Sequence, residues 1–270
     1  MSVKQFYNLK ELPFNNTPDL KYFYKSSNHV KAMLKLHYLI EERKGLGVVL
    51  GPIGNGKTTI ARLFYEEIDP DIYESVFIVV VHSEISSEWF LKKLSVQLGI
   101  EDIPSEKPEM VTKLFKKIQE LNDNGRKVVV LIDEAQMLTK KEVMEEIRGL
   151  LNFEDENGKM INFVLFGLPE LEENLKLDEP LFQRIAVRVI LQPLTLEDTK
   201  NYIAHRLKIA GGDENLFEDD SIPIIYENSK GIPRLINTIC DNALFEGYLR
   251  KSQKIGVDIV KQVCFDLGLA

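Results

Sequence analysis

The stretch GPIGNGKTT at residues 51–59 constrains the fold of this chain more than any other feature. It follows the apolar, β-branched run LGVVL and precedes the amphipathic segment TTIARLFYEEI. Its spacing, Gly51-x4-Gly56-Lys57-Thr58, lets the backbone turn so that several N–H groups face one point, and the start of a helix adds partial positive charge there. A strand, a glycine-rich loop and a helix in this order predict a loop that binds the phosphates of a nucleotide.

This interpretation gives every residue of the loop a place at the nucleotide. We expect ATP with Mg²⁺, because Lys57 can reach the β- and γ-phosphates and the Thr58 hydroxyl can hold the cation. The residues predicted to surround the phosphates are Gly51, Pro52, Ile53, Gly54, Asn55, Gly56, Lys57, Thr58 and Thr59.

Alternating strand and helix patterns predict the domain around this loop. Helical patterns at about 57–68, 87–98, 108–123 and 140–153 separate short apolar runs. Three of these runs almost entirely lack the period-2 alternation of a half-buried strand, as expected for strands covered by helices on both faces. The predicted fold class is α/β, a P-loop NTPase with a five-stranded parallel sheet between helices. The runs are LGVVL (46–50), VFIVVVH (76–82), KVVVLID (127–133), INFVLFG (161–167) and VRVIL (187–191).

The β pattern stops at Leu191, and only helical patterns follow it. We therefore predict three parts. Residues 1–45 form an N-terminal extension that packs on the nucleotide site and contains one helix at about 27–43. Residues 46–192 form the α/β nucleotide-binding domain, and residues 193–270 form a small all-helical lid.

A pair of acidic residues supplies the second half of the predicted site, in VVVLIDEAQ. Asp133 ends a buried strand, at the edge where open α/β sheets bind ligands, and is expected to hold Mg²⁺ through water. The adjacent Glu134 can act as a general base on a water that attacks the γ-phosphate. This pair favours hydrolysis over transfer to a bound acceptor. The alternative is that both residues merely begin the next helix.

Three arginines come late in the chain: Arg184 in LFQRI, Arg188 in VRV and Arg234 in KGIPRLIN. A guanidinium near the γ-phosphate stabilises the transition state, and a neighbouring subunit can supply it. For Arg184 and Arg188, residue chemistry leaves this role and a surface salt bridge equally open. Arg234 begins a predicted lid helix, from which an arginine can report the nucleotide state to the lid.

Composition limits the class of protein. The net charge of −8 argues against a protein that is coated with nucleic acid, although a local basic face stays open. No apolar run approaches the roughly 18 residues of a membrane span, and the N-terminus has no signal-peptide core. We expect a cytoplasmic protein with no direct membrane insertion. Its two cysteines, Cys240 and Cys264, are predicted to be buried free thiols.

With these residues identified, the chain resembles an AAA+ ATPase over nearly its whole length. More narrowly, it is similar to the ExeA/GspA group of the general secretion pathway and to ATPases of pilus and exopolysaccharide clusters. The matching segments are FYNLKELPFNNTPDLKYFYKSSNHVKAMLKLHYLI, IDEAQML, FGLPEL, LFQRIAVRVIL and KGIPRLINTICDNAL.

The resemblance implies roles that the residues alone leave open. Arg184 becomes the arginine finger and Arg234 the sensor 2 arginine, while Phe14 and Pro18 pack near the adenine. ATP is then hydrolysed at the interfaces of a homo-oligomer, a ring or a filament. Its cycle drives or organises a secretion, pilus or envelope assembly through a membrane-bound or envelope partner at the inner membrane. The residues with an implied catalytic role are Glu134, Lys57, Arg184 and Arg234.

Two features depart from the group's pattern. After the fourth strand, where the family carries a polar residue called sensor 1, this chain has Leu168. Leucine cannot orient a water, so we expect slow hydrolysis or a substitute such as Asn152. Longer members continue into a transmembrane helix and a peptidoglycan-binding domain, so we expect no cell-wall contact from these 270 residues.

The core is also similar to transposition ATPases of the TnsC/TniB type. A DNA-associated regulator is therefore the alternative function, with Lys140 and Lys141 as its candidate contact to DNA or to a client protein. A nucleotide-gated scaffold with slow hydrolysis is a third possibility. The sequence leaves open the client, the choice between ring and filament, and the role of Arg188.

Overall fold

The computed structural model describes residues 2–269. Its strands are β1 (Leu46–Leu50), β2 (Tyr73–Val79), β3 (Lys127–Asp133), β4 (Glu154–Asp155), β5 (Gly158–Lys159), β6 (Ile161–Gly167) and β7 (Ile185–Ile190). Its α-helices are α1 (Val3–Phe6), α2 (Ser27–Glu41), α3 (Lys57–Glu67), α4 (Ser87–Gln97), α5 (Lys107–Asp123), α6 (Lys141–Leu150), α7 (Leu171–Leu175), α8 (Glu179–Phe182), α9 (Leu196–Ile209), α10 (Ile222–Ser229), α11 (Pro233–Leu249) and α12 (Val257–Asp266).

A five-stranded parallel sheet confirms the predicted fold class. The strand order is β2-β3-β6-β1-β7, and each pair of neighbours is parallel. The inner strands β1, β3 and β6 are buried along almost their whole length, which is why their sequences are continuous apolar runs. The edge strands β2 and β7 are only partly buried.

Both edge strands begin earlier than the apolar runs predict. β2 spans Tyr73–Val79 instead of 76–82, because its one neighbouring strand in the described sheet, β3, ends at Asp133 opposite Val79. Beyond that point Val81 is exposed. β7 begins at Ile185, opposite Leu46 in β1, and not at residue 187.

The helix predicted at 140–153 is also shorter. α6 ends at Leu150, and a small antiparallel hairpin, β4–β5, follows. The buried guanidinium of Arg43 holds this hairpin. Its Nε donates to the Lys159 carbonyl over 2.8 Å, and its Nη2 pairs with Asp155 at 3.0 Å. The chain must leave the helix before β4 to make these contacts.

The described chain forms two compact units. The helical unit contains the residues up to 27, residues 54–59 and the chain from 192 onward. Its core joins α1 and the following segment to α9–α12, through Tyr7, Leu9 and Phe14 among others. The sheet unit contains residues 28–53 and 60–191, and its core lies around the five strands.

Helix α2 lies in the sheet unit from residue 28 onward, although the predicted extension contains it. Leu36, Leu39 and Ile40 are buried on this helix, and a Cβ added at Gly47 would lie 2.6 Å from a Leu39 methyl group. The apolar face of α2 therefore packs directly against β1. The division into domains at 45 and 193 stays a prediction. Within residues 2–269, no helix is both long enough and apolar enough to span a bilayer.

Candidate functional site

The glycine-rich loop lies where the sequence predicts it, between the end of β1 at Leu50 and the start of α3 at Lys57. Gly54 and Gly56 have φ angles of 78° and 86°, which ordinary residues rarely adopt. The Gly51 N–H donates to the Gly167 carbonyl over 3.3 Å, which ties the start of the loop to the end of β6. The loop thus begins on two adjacent inner strands.

Within the helical unit, Gly54 meets the start of α11. The Arg234 N–H donates to the Gly54 carbonyl over 3.2 Å. A Cβ on Gly54 would lie 2.6 Å from the Arg234 Cβ and 3.2 Å from the Ile232 Cγ2. The structure therefore brings the predicted sensor 2 arginine to the predicted phosphate loop, with its exposed guanidinium beyond the main-chain contact.

Asp133 and Glu134 lie at the carboxyl edge of the sheet. Asp133 ends β3 and is 2% exposed, and its Oδ1 accepts from the Glu134 N–H over 3.0 Å. Glu134 has left-handed angles, φ 56° and ψ 36°, which cost a non-glycine residue about 1–2 kcal/mol. The turn takes the Glu134 side chain out of the strand direction. Because β6 separates β3 from β1 and all three run parallel, Asp133 shares this edge with Gly51.

Gln136 is a site residue that the sequence prediction missed. Its Nε2 donates to Glu134 Oε2 over 2.6 Å, and its Oε1 accepts from the Leu168 N–H over 3.1 Å. Its main-chain carbonyl accepts from Asn174 Nδ2 over 2.7 Å. The sequence signal was the amide in IDEAQ. Glu134 lies only two residues away, but Leu168 and Asn174 lie more than 30 residues away in the chain.

The side chains near Leu168 differ from the expectation for sensor 1. The proposed substitute, Asn152, instead accepts from Arg184, with its Oδ1 2.8 Å from Nη1. The polar side chain that contacts the Leu168 main chain is that of Gln136. Asn152 therefore contacts Arg184. The side-chain amide beside the end of β6 is that of Gln136.

Arg184 lies just before β7 and is half-buried. Besides Asn152, its Nη1 also donates to the Arg148 carbonyl over 3.1 Å at the end of α6. Arg148 itself donates to the buried Asp178 over 3.0 Å. These contacts fix one side of the Arg184 guanidinium with neutral oxygens. Lys159 and, to a smaller extent, Arg184 lower the pKa of the nearby Glu154 carboxyl.

Arg188 has a carboxylate partner. Its Nη2 forms an ion pair with Glu172 Oε1 on α7, although the angles do not make a hydrogen bond. Half of the Arg188 side chain is exposed, at 52%. The contact agrees with the salt-bridge alternative, and such exposed pairs contribute about 0–1 kcal/mol.

The two N-terminal residues predicted near the adenine lie in the helical unit. Phe14 is fully buried, and its ring meets that of Phe217 edge-on at 5.9 Å between centroids. Pro18 is half-buried. Phe14 therefore forms part of the core of the lid helices, and a contact to the adenine stays a prediction for both residues.

The lysine pair at the start of α6 is matched by acidic side chains. Lys140 Nζ lies 3.3 Å from Glu84, and Lys141 Nζ lies 3.5 Å from Glu145. Neither contact is buried, so each lysine stays solvated. The arrangement does not create a concentrated basic surface.

Asp133 and Thr58 each have a donor atom of the kind that binds a magnesium nucleotide. Mg²⁺ prefers carboxylate and hydroxyl oxygens together with phosphates. A carboxylate is available at the end of β3 in Asp133, and a hydroxyl is available in the first turn of α3 in Thr58. These two residues stay the predicted ligands of the cation.

Comparison with known proteins supports the resemblance to AAA+ ATPases. A family model described as AAA domain matches residues 40–175. General secretion pathway protein A of Aeromonas hydrophila is 34% identical over 257 residues, which make up 93% of this chain and 46% of that protein. Cell division protein C of Sulfolobus acidocaldarius is 27% identical over 172 residues, 58% of this chain and 39% of that protein. The chain spans less than half the length of both relatives, and the first match confirms the resemblance drawn from the motifs.

Solved structures share the fold. The Aeropyrum pernix ORC2 protein, in ADPNP-ADP complexes, has a TM-score of 0.67 at 14% identity, over 94% of this chain and 71% of that chain. The Thermotoga maritima RuvB Holliday junction branch migration motor has a TM-score of 0.62 at 20% identity, over 94% and 73%. At these identities the likeness supports the fold alone.

Proposed function

The chain belongs to the AAA domain family, and on that premise we propose that it binds ATP with Mg²⁺ and hydrolyses it to ADP and phosphate. One observation carries the proposal. A buried Asp133 and a left-handed Glu134 end an inner strand, at the same sheet edge from which the glycine-rich loop begins. Ligands of open α/β sheets bind at this edge.

The residues divide the reaction between them. Glu134 takes a proton from water as the water oxygen bonds to the γ-phosphorus, and the bond from that phosphorus to the β-γ bridging oxygen breaks. Its electron pair leaves on ADP. Lys57 and the loop N–H groups hold the phosphates. Asp133 and Thr58 would hold the magnesium ion, which would neutralise phosphate charge.

The two late arginines have different proposed roles. Arg234 contacts Gly54 through its main chain, so movement of α11 and of the loop would be coupled. The hydrogen bonds of Arg184 go to neutral oxygens, and its guanidinium can also interact with a phosphate. We therefore keep Arg184 as the arginine finger, supplied to the site of a neighbouring copy in a homo-oligomer.

The biological setting is proposed from the relative in secretion. Because general secretion pathway protein A is 34% identical over 93% of this chain, we propose that the ATP cycle organises an envelope or secretion assembly through a membrane-bound partner, from the cytoplasmic side. The carboxylate partners of Lys140 and Lys141 do not favour DNA as that partner.

Replacing Glu134 tests this function. Glu134→Gln should lower ATP turnover roughly 100-fold or more, the usual contribution of a general base, while binding of a fluorescent ATP analogue is retained. Glu170→Gln is the matched control, because Glu170 is an exposed carboxylate beyond the end of β6, and it should turn over ATP like the wild type. Turnover that is equal in Glu134→Gln and wild type would contradict the proposal. ATP binding without any turnover would instead support the nucleotide-gated scaffold.

A further inference from the structure

We propose that Gln136 is the positioning residue of the hydrolytic site, and that its amide replaces the polar side chain missing at Leu168. This inference rests on the proposed function, because it requires Glu134 to be the general base. It concerns a residue that acts through its hydrogen bond to Glu134.

The side-chain amide of Gln136 connects the proposed general base, Glu134, to the end of β6. On one side it donates to the Glu134 carboxylate, and on the other it accepts from the main chain at the end of β6. In a carboxylate that rotates freely, the basic oxygen samples many directions. A hydrogen bond of 2.6 Å to one oxygen leaves the other oxygen in a defined direction.

The chemistry of the partners fixes which way the amide faces. The Leu168 N–H can only donate, so it requires the amide oxygen. An ionised Glu134 can only accept, so it requires the amide nitrogen. A leucine at position 168 disturbs neither contact, because position 168 takes part through its main chain.

The surrounding residues hold Gln136 in place. Asn174 donates to its main-chain carbonyl from α7. Gly167 lets it approach, since a Cβ there would lie 3.1 Å from Gln136 Oε1, 3.2 Å from its main-chain nitrogen and 2.9 Å from a Leu171 methyl group. The Gly167 carbonyl also accepts from the Gly51 N–H. A continuous set of contacts therefore runs from the base to the start of the phosphate loop.

A double-mutant cycle tests the inference. Gln136→Met keeps the length of the side chain and removes both hydrogen bonds, and it should lower kcat for ATP by roughly 10- to 100-fold, the cost of a misplaced group, with an unchanged KM. In the Glu134→Gln background the same change should have no further effect, because the residue acts only through Glu134. The matched control is Gln97→Met at an exposed glutamine on α4, which should retain wild-type kcat.

A second variant keeps the test informative if Gln136→Met folds poorly. Gln136→Glu retains an acceptor for the Leu168 N–H but places a carboxylate against Glu134, so kcat should again fall with unchanged ATP binding. Each contrary outcome is distinct. Turnover that does not depend on Glu134 would overturn the proposed function and this inference together. Glu134-dependent turnover that survives both Gln136 variants, rises in them, or falls further in the double mutant would overturn the inference alone.

Discussion

The main chain of Arg234 donates to the carbonyl of Gly54 over 3.2 Å, and there is no room for a Cβ on Gly54 beside the Arg234 side chain. This main-chain hydrogen bond joins the middle of the glycine-rich loop to the first turn of α11. A glycine satisfies two requirements here, a φ of 78° and close packing. These requirements can be separated by mutation.

Gly54→Ala should destabilise the protein by roughly 2–4 kcal/mol, since left-handed backbone costs a residue with a Cβ about 1–2 kcal/mol and the clash adds to it. It should also weaken binding of a fluorescent ATP analogue. The matched control is Gly125→Ala, because Gly125 has a φ of 79° and no heavy atom of the described residues within 4 Å of an added Cβ. In urea unfolding, Gly125→Ala should lose only the free energy that left-handed backbone costs a residue with a Cβ. Equal losses in both variants would show that the close packing of Gly54 against Arg234 adds no cost.

Arg206 is predicted to be the main anchor of the N-terminal segment in the helical unit. Its guanidinium is buried and donates to the carbonyls of Pro13 and Asn15 at 2.5 and 3.1 Å and to the Tyr202 hydroxyl at 2.7 Å. Arg206→Met keeps the aliphatic stem and removes every donor. We expect a loss of roughly 2–4 kcal/mol, together with faster amide hydrogen exchange around Phe14.

The control for Arg206 is Arg250→Met. Arg250 is 41% exposed and pairs with Glu246 one helical turn away, and such pairs contribute at most about 1 kcal/mol. Urea unfolding should therefore separate the two variants clearly. If Arg206→Met unfolds at the same urea concentration as Arg250→Met, the N-terminal segment is held by its apolar contacts and not by the guanidinium.

The sequence predicts the inner strands better than the edges. KVVVLID and LGVVL match β3 and β1 residue for residue, because burial on both faces leaves a continuous apolar run. The limits of β2 instead depend on where β3 ends, and this pairing has no local signal.

The same distinction applies to the site. The loop and the Asp133–Glu134 pair are contiguous in sequence, so a motif can identify them. Gln136 is held by the main-chain N–H of Leu168, which lies 32 residues away in the sequence. The type of side chain at position 168 therefore does not reveal the contact. Looking for a polar side chain at position 168, or at Asn152, does not identify Gln136.

Alkaline pH should destabilise the helical unit through Tyr7. Burial raises the pKa of Tyr7 to about 12, from an ordinary value of 10.0, and its hydroxyl donates to the Ser252 carbonyl over 3.1 Å. As the pH rises, the unfolded chain loses the Tyr7 proton at a lower pH than the folded chain does. The stabilisation is therefore complete below pH 10 and is lost as the pH rises from 10 through about 12.

Tyr7→Phe removes this titration. Over the same pH range, the free energy of unfolding should fall less steeply in Tyr7→Phe than in the wild type, while lysine titration affects both proteins alike. Tyr38→Phe is the control, because that ring lies on the exposed face of α2, and its slope should equal that of the wild type. Identical slopes in Tyr7→Phe and Tyr38→Phe would exclude Tyr7 as the source.

Arg184 should act on the nucleotide of a neighbouring copy. Arg184→Ala should lower turnover roughly 1,000-fold, as loss of an arginine finger does, and leave ATP binding intact. Arg188→Ala should have a much smaller effect, since Arg188 already faces Glu172. Steady-state ATPase assays on both variants make the comparison. Full turnover and ATP-dependent assembly in Arg184→Ala would exclude the role.

Mixing two inactive variants decides whether Arg184 works in trans. An Arg184→Ala subunit still has Glu134, and a Glu134→Gln subunit still has Arg184, so an interface between them can contain both groups. In an equimolar mixture, about a quarter of interfaces combine the intact pair if subunits assort at random. ATP turnover should therefore rise well above that of either variant alone, and Gln136→Met introduced into the Arg184→Ala chain should reduce the gain by the same roughly 10- to 100-fold. Turnover that stays at the sum of the separate variants would place Arg184 on its own subunit's site or outside the reaction.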